Sequence, residues 1–226
     1  MELSMNKFLC SMITVFVFFA FILPGASFAQ KGGDIKLPEV SGVSGMDYFD
    51  ALRNRASIRA FSEKELSMQD LGDVLWTAGG RKSPGGKWVV PYAMRTDPTC
   101  RIFVTCASGT YLYDGTAHSL KFINNSDLRA EVATQEFVGE APVVLVFVAN
   151  PAPLQSKLKG KGRDEALDVV YLSAGAIMQD VYLAASAKNL ATCYIGNIKH
   201  GEWEKTLGLS EGEIYFGSMP VGYMAE

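Results

Sequence analysis

Histidine and cysteine are scarce in this chain, which has two histidines and four cysteines among 226 residues. His118 and His200 have no metal-ligating residues at the spacing of a metal motif, and the cysteines are not spaced like a zinc site. Beyond residue 29 there are three cysteines, Cys100, Cys106 and Cys193, so at least one thiol stays unpaired. We therefore predict no metal site and interpret these cysteines mainly as small buried hydrophobic residues.

Neither sign of charge is in large excess: 21 lysines and arginines stand against 24 aspartates and glutamates, a net charge of −3. A nucleic-acid-binding domain usually carries a strongly basic face, which this balance does not indicate. The sequence also lacks a G-x-S-x-G elbow and a histidine dyad, so it shows no motif of nucleophilic or acid–base catalysis. We therefore expect no nucleic-acid partner.

One long hydrophobic run is present, from Phe8 to Leu23, directly after Lys7. A proline and a glycine end the run, and small residues up to Ala29 follow in the pattern of a signal-peptidase site. We predict that residues 1–29 are a signal peptide and that the protein is periplasmic or secreted. The alternative is an uncleaved anchor, since the run is only slightly shorter than the roughly 20 residues of a membrane span. Membrane contact is expected only through this segment.

Two regions follow the predicted signal peptide. Residues 30–44 are rich in glycine, serine and proline and predict a flexible lead-in. Residues 45–226 are long enough for one domain with its own core. Helical and strand patterns alternate irregularly there, and residues 142–150 form a continuous apolar run typical of a strand buried on both faces. We predict an α+β sandwich in which helices flank a central mixed β-sheet.

The longest helical pattern runs from Asp164 to Asn189 and is small or apolar on nearly all sides. A helix without a broad polar face must be buried on most sides. Small residues such as Gly175, Ala184 and Ala187 would let another backbone come close. We therefore predict a long central helix at a homodimer interface.

A glycine-rich loop, GGRKSPGGKW at residues 79–88, invites comparison with a phosphate-binding P-loop. The spacing does not fit, because Arg81 stands where the motif requires glycine and Trp88 where it requires serine or threonine. The loop is not interpreted as a nucleotide-binding motif.

The segment RASIRAF, residues 55–61, is a better candidate for binding an anion. Arg55, Ser57 and Arg59 occupy alternate positions, which on an extended segment point to the same side. Two guanidinium groups and a hydroxyl then suit the geometry of a phosphate. The alternative for this segment alone is a basic edge exposed to solvent.

Several motifs in this order resemble the FMN-dependent nitroreductase family, from about Gly45 to Tyr223. They are RASIRAF, LSMQDLGDVLWTAGG, RKSPGGKWVVPYAMR, GAIMQDVYLAASAKNLATCYIG, LGLSEGE and MPVGY. The resemblance implies a homodimer with two FMN sites at its interface. It also implies an oxidoreductase that passes hydride or electrons through the flavin to a small oxidised substrate, such as a nitro compound or a quinone. Because the flavin carries the chemistry, no catalytic side chain is expected.

The resemblance further implies eleven cofactor-binding residues. The phosphate and the pyrimidine end of the flavin would be held by Arg55, Ser57 and Arg59, with the backbone of Ala56. The ring would be lined from the partner subunit by Pro91, Tyr92 and Ala93, and Gln179 would lie near the ribityl chain or the interface. The flavin would be bordered by Tyr194, Ile195 and Gly196, with backbone N–H groups near its reactive nitrogen.

The chain departs from the family pattern at several positions. Tyr92 replaces the usual serine, Arg95 the usual asparagine, and Asp180 the asparagine after Gln179; no basic residue follows Tyr223. These departures leave two alternatives open: an exported protein of the same fold that binds a flavin or another heterocycle without catalysis, or an enzyme that breaks down flavin itself. An exported enzyme would also meet little free NAD(P)H, so the electron donor could be NAD(P)H or a quinol.

Overall fold

The computed structural model describes residues 32–41, 46–159 and 162–226, so the predicted signal peptide lies outside the described residues. The strands are β1 (Ile35–Lys36), β2 (Cys100–Cys106), β3 (Gly109–Asp114), β4 (Ser119–Asn124), β5 (Val143–Ala149), β6 (Leu190–Thr192) and β7 (Ile214–Tyr223). The helices are α1 (Tyr48–Asn54), α2 (Met68–Gly79), α3 (Phe137–Glu140), α4 (Ala152–Gln155), α5 (Arg163–Ala187) and α6 (Trp203–Thr206). The strands form one sheet in the order β1-β4-β3-β2-β5-β7-β6, which confirms the α+β class.

The prediction of a mixed sheet is wrong, because every pairing between the described strands is antiparallel. Strand β5 is buried along its whole length, as its apolar run predicts. One face of the sheet packs against α2 and α5, and the other against a cluster around Val132, Trp203 and Tyr215. A continuous apolar run therefore reports burial on both faces here, and it carries no information on strand direction.

Helix α2 is bounded by local signals in the sequence, a serine before its first turn and a glycine after its last. The Ser67 hydroxyl accepts a hydrogen bond from the Asp70 N–H at 3.0 Å and donates one to the Asp70 carboxylate at 2.7 Å. At the other end, Gly80 N–H donates to Trp76 O at 2.8 Å. The apolar side of the helix, with Leu71 and Leu75 fully buried, packs against the sheet and α5.

Helix α5 is buried on one side only. Val170, Ile177 and Val181 on that side have no exposed surface, whereas Leu172 on the other side is 77% exposed. Among the described helices, α5 alone has the length and composition of a membrane span, and 39% of its most apolar stretch is buried. The described chain thus leaves much of this helix uncovered, although the sequence predicts burial on most sides.

The lead-in differs from the flexible segment predicted for residues 30–44. Within its described part, β1 pairs with β4, and Leu37 is buried against the core. Ser41 N–H donates to the Asp73 carboxylate at 2.9 Å. Ile35 and Leu37 alternate with polar residues, a pattern typical of a strand with one buried face. The pattern is short and lies between glycines and serines, so it is hard to recognise in the sequence.

A charged cluster joins the end of α5 to α2 and β7. The Lys188 ammonium lies 3.0 Å from the Asp70 carboxylate and 2.6 Å from that of Asp73. The Tyr223 hydroxyl donates to Asp70 at 2.7 Å. The cluster fixes the end of α5 close to the segment that contains Arg55 and Arg59, because Tyr223 O accepts the Ser62 N–H at 2.9 Å.

Candidate functional site

The segment of residues 55–61 runs beside the ends of β6 and β7. Ile58 N–H donates to Thr192 O at 2.9 Å, and Phe61 pairs with Met224. Arg55 is half-buried, and Ser57 and Arg59 are exposed. The three side chains predicted to share a side therefore all keep access to solvent.

No carboxylate of the described residues neutralises the two arginines of this segment. Neither Arg55 nor Arg59 forms an ion pair within residues 32–41, 46–159 and 162–226. The Arg55 guanidinium lies over the Tyr182 ring, 5.2 Å from its centroid, and Arg59 Nη1 donates to Ser57 O at 3.3 Å. Two guanidinium groups without a described carboxylate partner, in the same segment as a hydroxyl, are a set of hydrogen-bond donors that fits a phosphate.

Tyr182 on α5 joins this segment to the chain after β6. Its hydroxyl lies 2.9 Å from Ser57 Oγ and accepts the Tyr194 N–H at 2.8 Å. The sequence analysis missed this residue. The available signal was a tyrosine in the mainly apolar second half of the helix, since a half-buried tyrosine hydroxyl usually finds a hydrogen-bond partner.

The predicted residues after β6 offer fewer free donors than expected. Tyr194 N–H is bound to Tyr182, and Ile195 exchanges both backbone hydrogen bonds with Ser218, at 2.8 and 3.0 Å. Gly196 N–H has no hydrogen-bond partner among the described residues. Gly196 is therefore the member of this group that can still donate to a ligand.

The Tyr194 ring is held in place by close contact with the backbone of β7. Its hydroxyl donates to Phe216 O at 3.2 Å. A Cβ atom at Gly217 would lie 2.6 Å from the ring and 3.0 Å from Ile195 O, so glycine allows this close approach. A side chain at Gly217 would push the ring away and move the segment that carries Gly196.

The concave space within one protomer at this site is small. A cavity of about 90 Å³ lies between the segment of residues 55–61 and the end of α5, lined by Ala56, Ile58, Tyr182 and Thr192 among others. Ligand sites usually measure about 300–1,000 Å³. One protomer therefore does not enclose a flavin-sized ligand here, and such a ligand would lie across its open surface.

The predicted residues Pro91, Tyr92 and Ala93 lie in a different place. Pro91 and Tyr92 line a cavity of about 660 Å³ that also includes Arg95. Ala93 begins a 3-10 turn next to it. No hydrogen bond or ion pair joins these residues to Arg55 or Arg59 in the described part of one protomer.

Tyr92 differs from the serine it replaces in more than size. It is 8% exposed, and its buried hydroxyl has no hydrogen-bond partner among the described residues. Burial, with the nearby Cys100 thiol and Tyr113 hydroxyl, raises the pKa of Tyr92. The hydroxyl thus faces the core, and only the ring of Tyr92 is available to the cavity.

The two polar residues predicted near the middle of α5 have different surroundings. Gln179 is exposed, whereas Asp180 is half-buried beside α2, where its carbonyl accepts the Thr77 hydroxyl at 3.4 Å. Burial raises the pKa of Asp180. Gln179 is therefore free to meet a ligand or a second chain, while Asp180 belongs to the helix packing.

The three cysteines of the described chain are buried. Cys100, Cys106 and Cys193 are buried free thiols, as predicted. Burial raises the pKa of Cys100 to about 12. Within the described residues, no cluster of three or more histidine, cysteine, aspartate or glutamate side chains could hold a metal ion.

Comparison with known proteins identifies the family. The sequence profile described as "Nitroreductase family" matches residues 52–223. This chain is 28% identical over 202 residues to a Methanocaldococcus jannaschii protein whose name assigns it provisionally to the nitroreductases. The matched residues cover 85% of this chain and 98% of that protein.

Solved structures agree with this match. A crystal structure from Ralstonia eutropha JMP134, also assigned provisionally to the nitroreductases, has a TM-score of 0.79 and 29% identity. The alignment covers 91% of this chain and 96% of that one. A protein of Desulfovibrio desulfuricans solved in complex with FMN has a TM-score of 0.55 and 20% identity, covering 80% of this chain and 88% of its own. The matched residues run from α1 to the end of β7, and this chain belongs to the nitroreductase family of oxidoreductases.

Proposed function

We propose that the protein is an FMN-dependent oxidoreductase that works as a homodimer outside the cytoplasm. The observation that carries the proposal is the pair of guanidinium groups at Arg55 and Arg59, which have no carboxylate partner among the described residues and lie in the same segment as the Ser57 hydroxyl. The FMN bound to the related Desulfovibrio desulfuricans protein supports the choice of cofactor.

The residues of the site fit FMN by the chemistry of their donors. Arg55, Arg59 and Ser57 would bind its phosphate, and the Tyr182 hydroxyl would keep Ser57 oriented. Gly196 N–H would donate to the ring, where a fixed donor stabilises negative charge. Bound FMN would supply the acceptance and transfer of electrons. The protein side chains need no acid or base for that step.

A second copy of the chain would complete the site. The four most prominent exposed apolar side chains on α1 and α5 are Tyr48 and Phe49, which are 60% and 62% exposed, and Tyr171 and Leu172, which are 42% and 77% exposed. The Ser186 hydroxyl ties α5 to α1 by donating to Ala51 O at 2.8 Å. Apolar patches of this kind mark interaction surfaces, and a second protomer would cover both helices.

We expect Leu172→Asp to weaken the dimer at least about tenfold, because the change puts a carboxylate into an apolar interface. Sedimentation velocity over a range of protein concentrations measures the dissociation constant. Ala152→Asp adds the same charge at an exposed position on α4 and should leave the dimer intact. A Leu172→Asp protein as dimeric as the parent would contradict the assignment of this surface.

The Ala184→Leu change, which the sequence suggests as a test of the same interface, is less suitable. Ala184 is half-buried and packs against the core of its own protomer. A larger side chain there would disturb the protomer first. Gly175, by contrast, has no atom within 4 Å of an added Cβ, so it is open to a second chain.

The proposal of export depends on residues 1–29, and it affects the choice of electron donor. Outside the cytoplasm little free NAD(P)H is available, so a quinol is the preferred donor. The oxidant would be a small nitro compound, a quinone or a similar molecule, reached through the open side of the flavin.

The proposed function is tested by the absorption spectrum of the purified protein. We expect a yellow protein whose flavin bands are bleached under anaerobic conditions by NADH, NADPH or a reduced quinone, and return when an oxidant is added. A colourless preparation that does not take up added FMN would disprove the proposal.

One observation favours a second candidate function, a flavin-binding protein without catalysis. The hydroxyl of Tyr92 faces the core, so the contact usually made by the family's serine cannot form at this position. A yellow protein whose flavin stays oxidised with every donor would support this candidate over the oxidoreductase.

A further inference from the structure

The backbone is strained directly after Ala93. Met94 and Arg95 both have a φ of +52°, in the left-handed region that glycine alone enters without steric cost. Among the described residues, the other non-glycine residues with positive φ are His118 and Asn189, which occur singly and are of types that tolerate this region better. Two consecutive strained residues need contacts that hold them in place. We refer to residues 93–96 as the left-handed turn.

The left-handed turn is closed at its ends by Thr96, which is buried. The N–H and the hydroxyl of Thr96 both donate to Ala93 O, each at 3.1 Å. These two bonds join the first residue of the turn to the last. They leave the carbonyl oxygens of the two strained residues, Met94 and Arg95, without a partner inside the turn.

Lys157 supplies that partner from a distant part of the chain. Its ammonium donates to Met94 O at 3.0 Å and to Arg95 O at 3.2 Å. An ammonium group has three donors, so one lysine can hold two carbonyl oxygens at once. Lys157 forms no ion pair with any described residue. The two strained residues are therefore the described partners of this charge.

Lys157 and the turn are attached to the same part of the core. Lys157 N–H donates to Leu154 O at 2.8 Å, and Leu154 on α4 is fully buried. Ala93 packs against the buried cluster that contains Leu154 and Val170. This common support fixes the place where the ammonium meets the carbonyl oxygens. The Lys157 side chain itself is exposed, so its removal should change the turn and leave the core intact.

We propose that Lys157 is a positioning residue, which holds the left-handed turn and, through it, residues 91–93. The first half, stabilisation of the turn, stands on the two hydrogen bonds alone. The second half rests on the proposed function, because residues 91–93 are predicted to line the flavin ring from the partner subunit. A turn that is already fixed keeps these residues in place before the flavin binds, which lowers the cost of ordering them.

Limited digestion of the full-length protein with trypsin tests the first half without reference to the flavin. Trypsin cleaves after Arg95, whose carbonyl oxygen is one of the two that Lys157 holds. We expect Lys157→Met to speed this cleavage about tenfold, the effect of losing one or two hydrogen bonds, because a segment must leave its folded conformation to enter a protease. Cleavage after Lys82, an exposed residue of the glycine-rich loop, should keep the parent's rate in the same digest. Mass spectrometry of the fragments measures both rates.

A second substitution separates the hold on the turn from other effects of the lysine. Glycine adopts the left-handed conformation without strain, so Met94→Gly should stabilise the turn in the absence of the ammonium. We expect Lys157→Met/Met94→Gly to regain most of the protection at Arg95. Lys157→Met/Met94→Ala removes the same methionine side chain but keeps the strain, so it should stay as susceptible as Lys157→Met.

The affinity for FMN tests the second half. Titration of the flavin-stripped protein should give a dissociation constant about tenfold higher for Lys157→Met, because fewer molecules hold the binding conformation. Adding Met94→Gly should restore the affinity, and urea unfolding should show equal stability for all these variants. The matched control is Lys159→Met, which removes the same charge two residues away at another exposed position and should change neither cleavage nor affinity.

Equal cleavage after Arg95 in the parent and in Lys157→Met, or equal rescue by Met94→Ala and Met94→Gly, would overturn the proposed hold on the turn. Faster cleavage with unchanged affinity for FMN would overturn the positioning role. The flavin spectrum separates these results from the proposed function. A colourless protein in which cleavage after Arg95 still depends on Lys157 disproves the oxidoreductase and supports the hold on the turn. A yellow protein without that dependence does the reverse.

Discussion

Replacing both Arg55 and Arg59 with alanine is expected to abolish flavin retention while leaving a folded protein. Each guanidinium would make a charge-assisted contact with the phosphate, worth about 1.5–3 kcal/mol, or about 10-fold to 100-fold in affinity. Neither arginine supports the fold through an ion pair with a described residue, so the loss should fall on binding. Fluorescence titration of flavin-stripped protein with FMN measures it.

The single variants separate binding of the phosphate from packing. The Arg55 guanidinium also lies over the Tyr182 ring, so Arg55→Ala removes a cation–π contact as well. Arg59→Ala removes no cation–π contact, so it is the cleaner test of phosphate binding. The matched control is Arg53→Ala, because Arg53 is exposed, lies in the same part of the chain and is paired with Asp50 at 2.6 Å. If Arg59→Ala and Arg53→Ala retained FMN equally, the phosphate site would be wrongly assigned.

The sequence predicts those features that follow from short, local patterns. The burial of β5 is read from its own apolar run and is confirmed, and the residues that bound α2, Ser67 and Gly80, are likewise local signals. The direction of the strands is not a local property, because an antiparallel central strand covered on both faces has the same apolar run as a parallel one.

The residues of the candidate site also divide into those that local patterns predict and those that only the fold brings together. Arg55, Ser57 and Arg59 can be selected from their alternation, but Tyr182 lies 125 residues beyond Ser57, and only the fold brings their hydroxyl groups together. Tyr92 can be recognised as a departure from the family, but the sequence does not show that its hydroxyl faces the core. The cavity beside Pro91 also depends on the fold, because its lining cations come from the glycine-rich loop and from the turn after Pro91.

Replacing Lys188 with methionine is expected to destabilise the protein by about 3 kcal/mol, within the range for removing one partner of a buried ion pair. The side chains of Lys188 and Asp73 are 16% and 7% exposed, and that of Asp70 is 22% exposed. Without the ammonium, two nearby carboxylates face each other with little access to water. Urea unfolding followed by circular dichroism, at equal protein and FMN concentrations, measures the change.

The matched control is Lys199→Met, which breaks a pair with Glu131 whose side chains are 47% and 51% exposed. An exposed pair contributes at most about 1 kcal/mol, so this variant should resemble the parent. Equal stability of the two variants would show that the Lys188 cluster adds no more than a surface ion pair.

The pH dependence of the difference identifies its electrostatic origin. Burial alone would raise the pKa of Asp70, but hydrogen bonds from Tyr223 and Ser67 and the Lys188 ammonium together hold it below its ordinary value of 3.8. The pKa of Asp73 is lowered in the same way, against burial, by Lys188 and Ser41. Carboxylates with a lowered folded pKa stabilise the protein above about pH 4, and this contribution is lost as the pH falls through the folded pKa.

The contribution of Lys188 to stability depends on pH in the opposite direction. Burial would lower its pKa, but hydrogen bonds and charge from Asp73 and Asp70 raise it above 10.5, so its contribution is complete below that pH and is lost as the pH rises through the folded value. Parent and Lys188→Met should therefore differ most between about pH 5 and 10 and converge at both extremes. A constant difference from pH 3 to pH 8 would mean that Lys188 acts through the packing of its methylene chain and not through its charge.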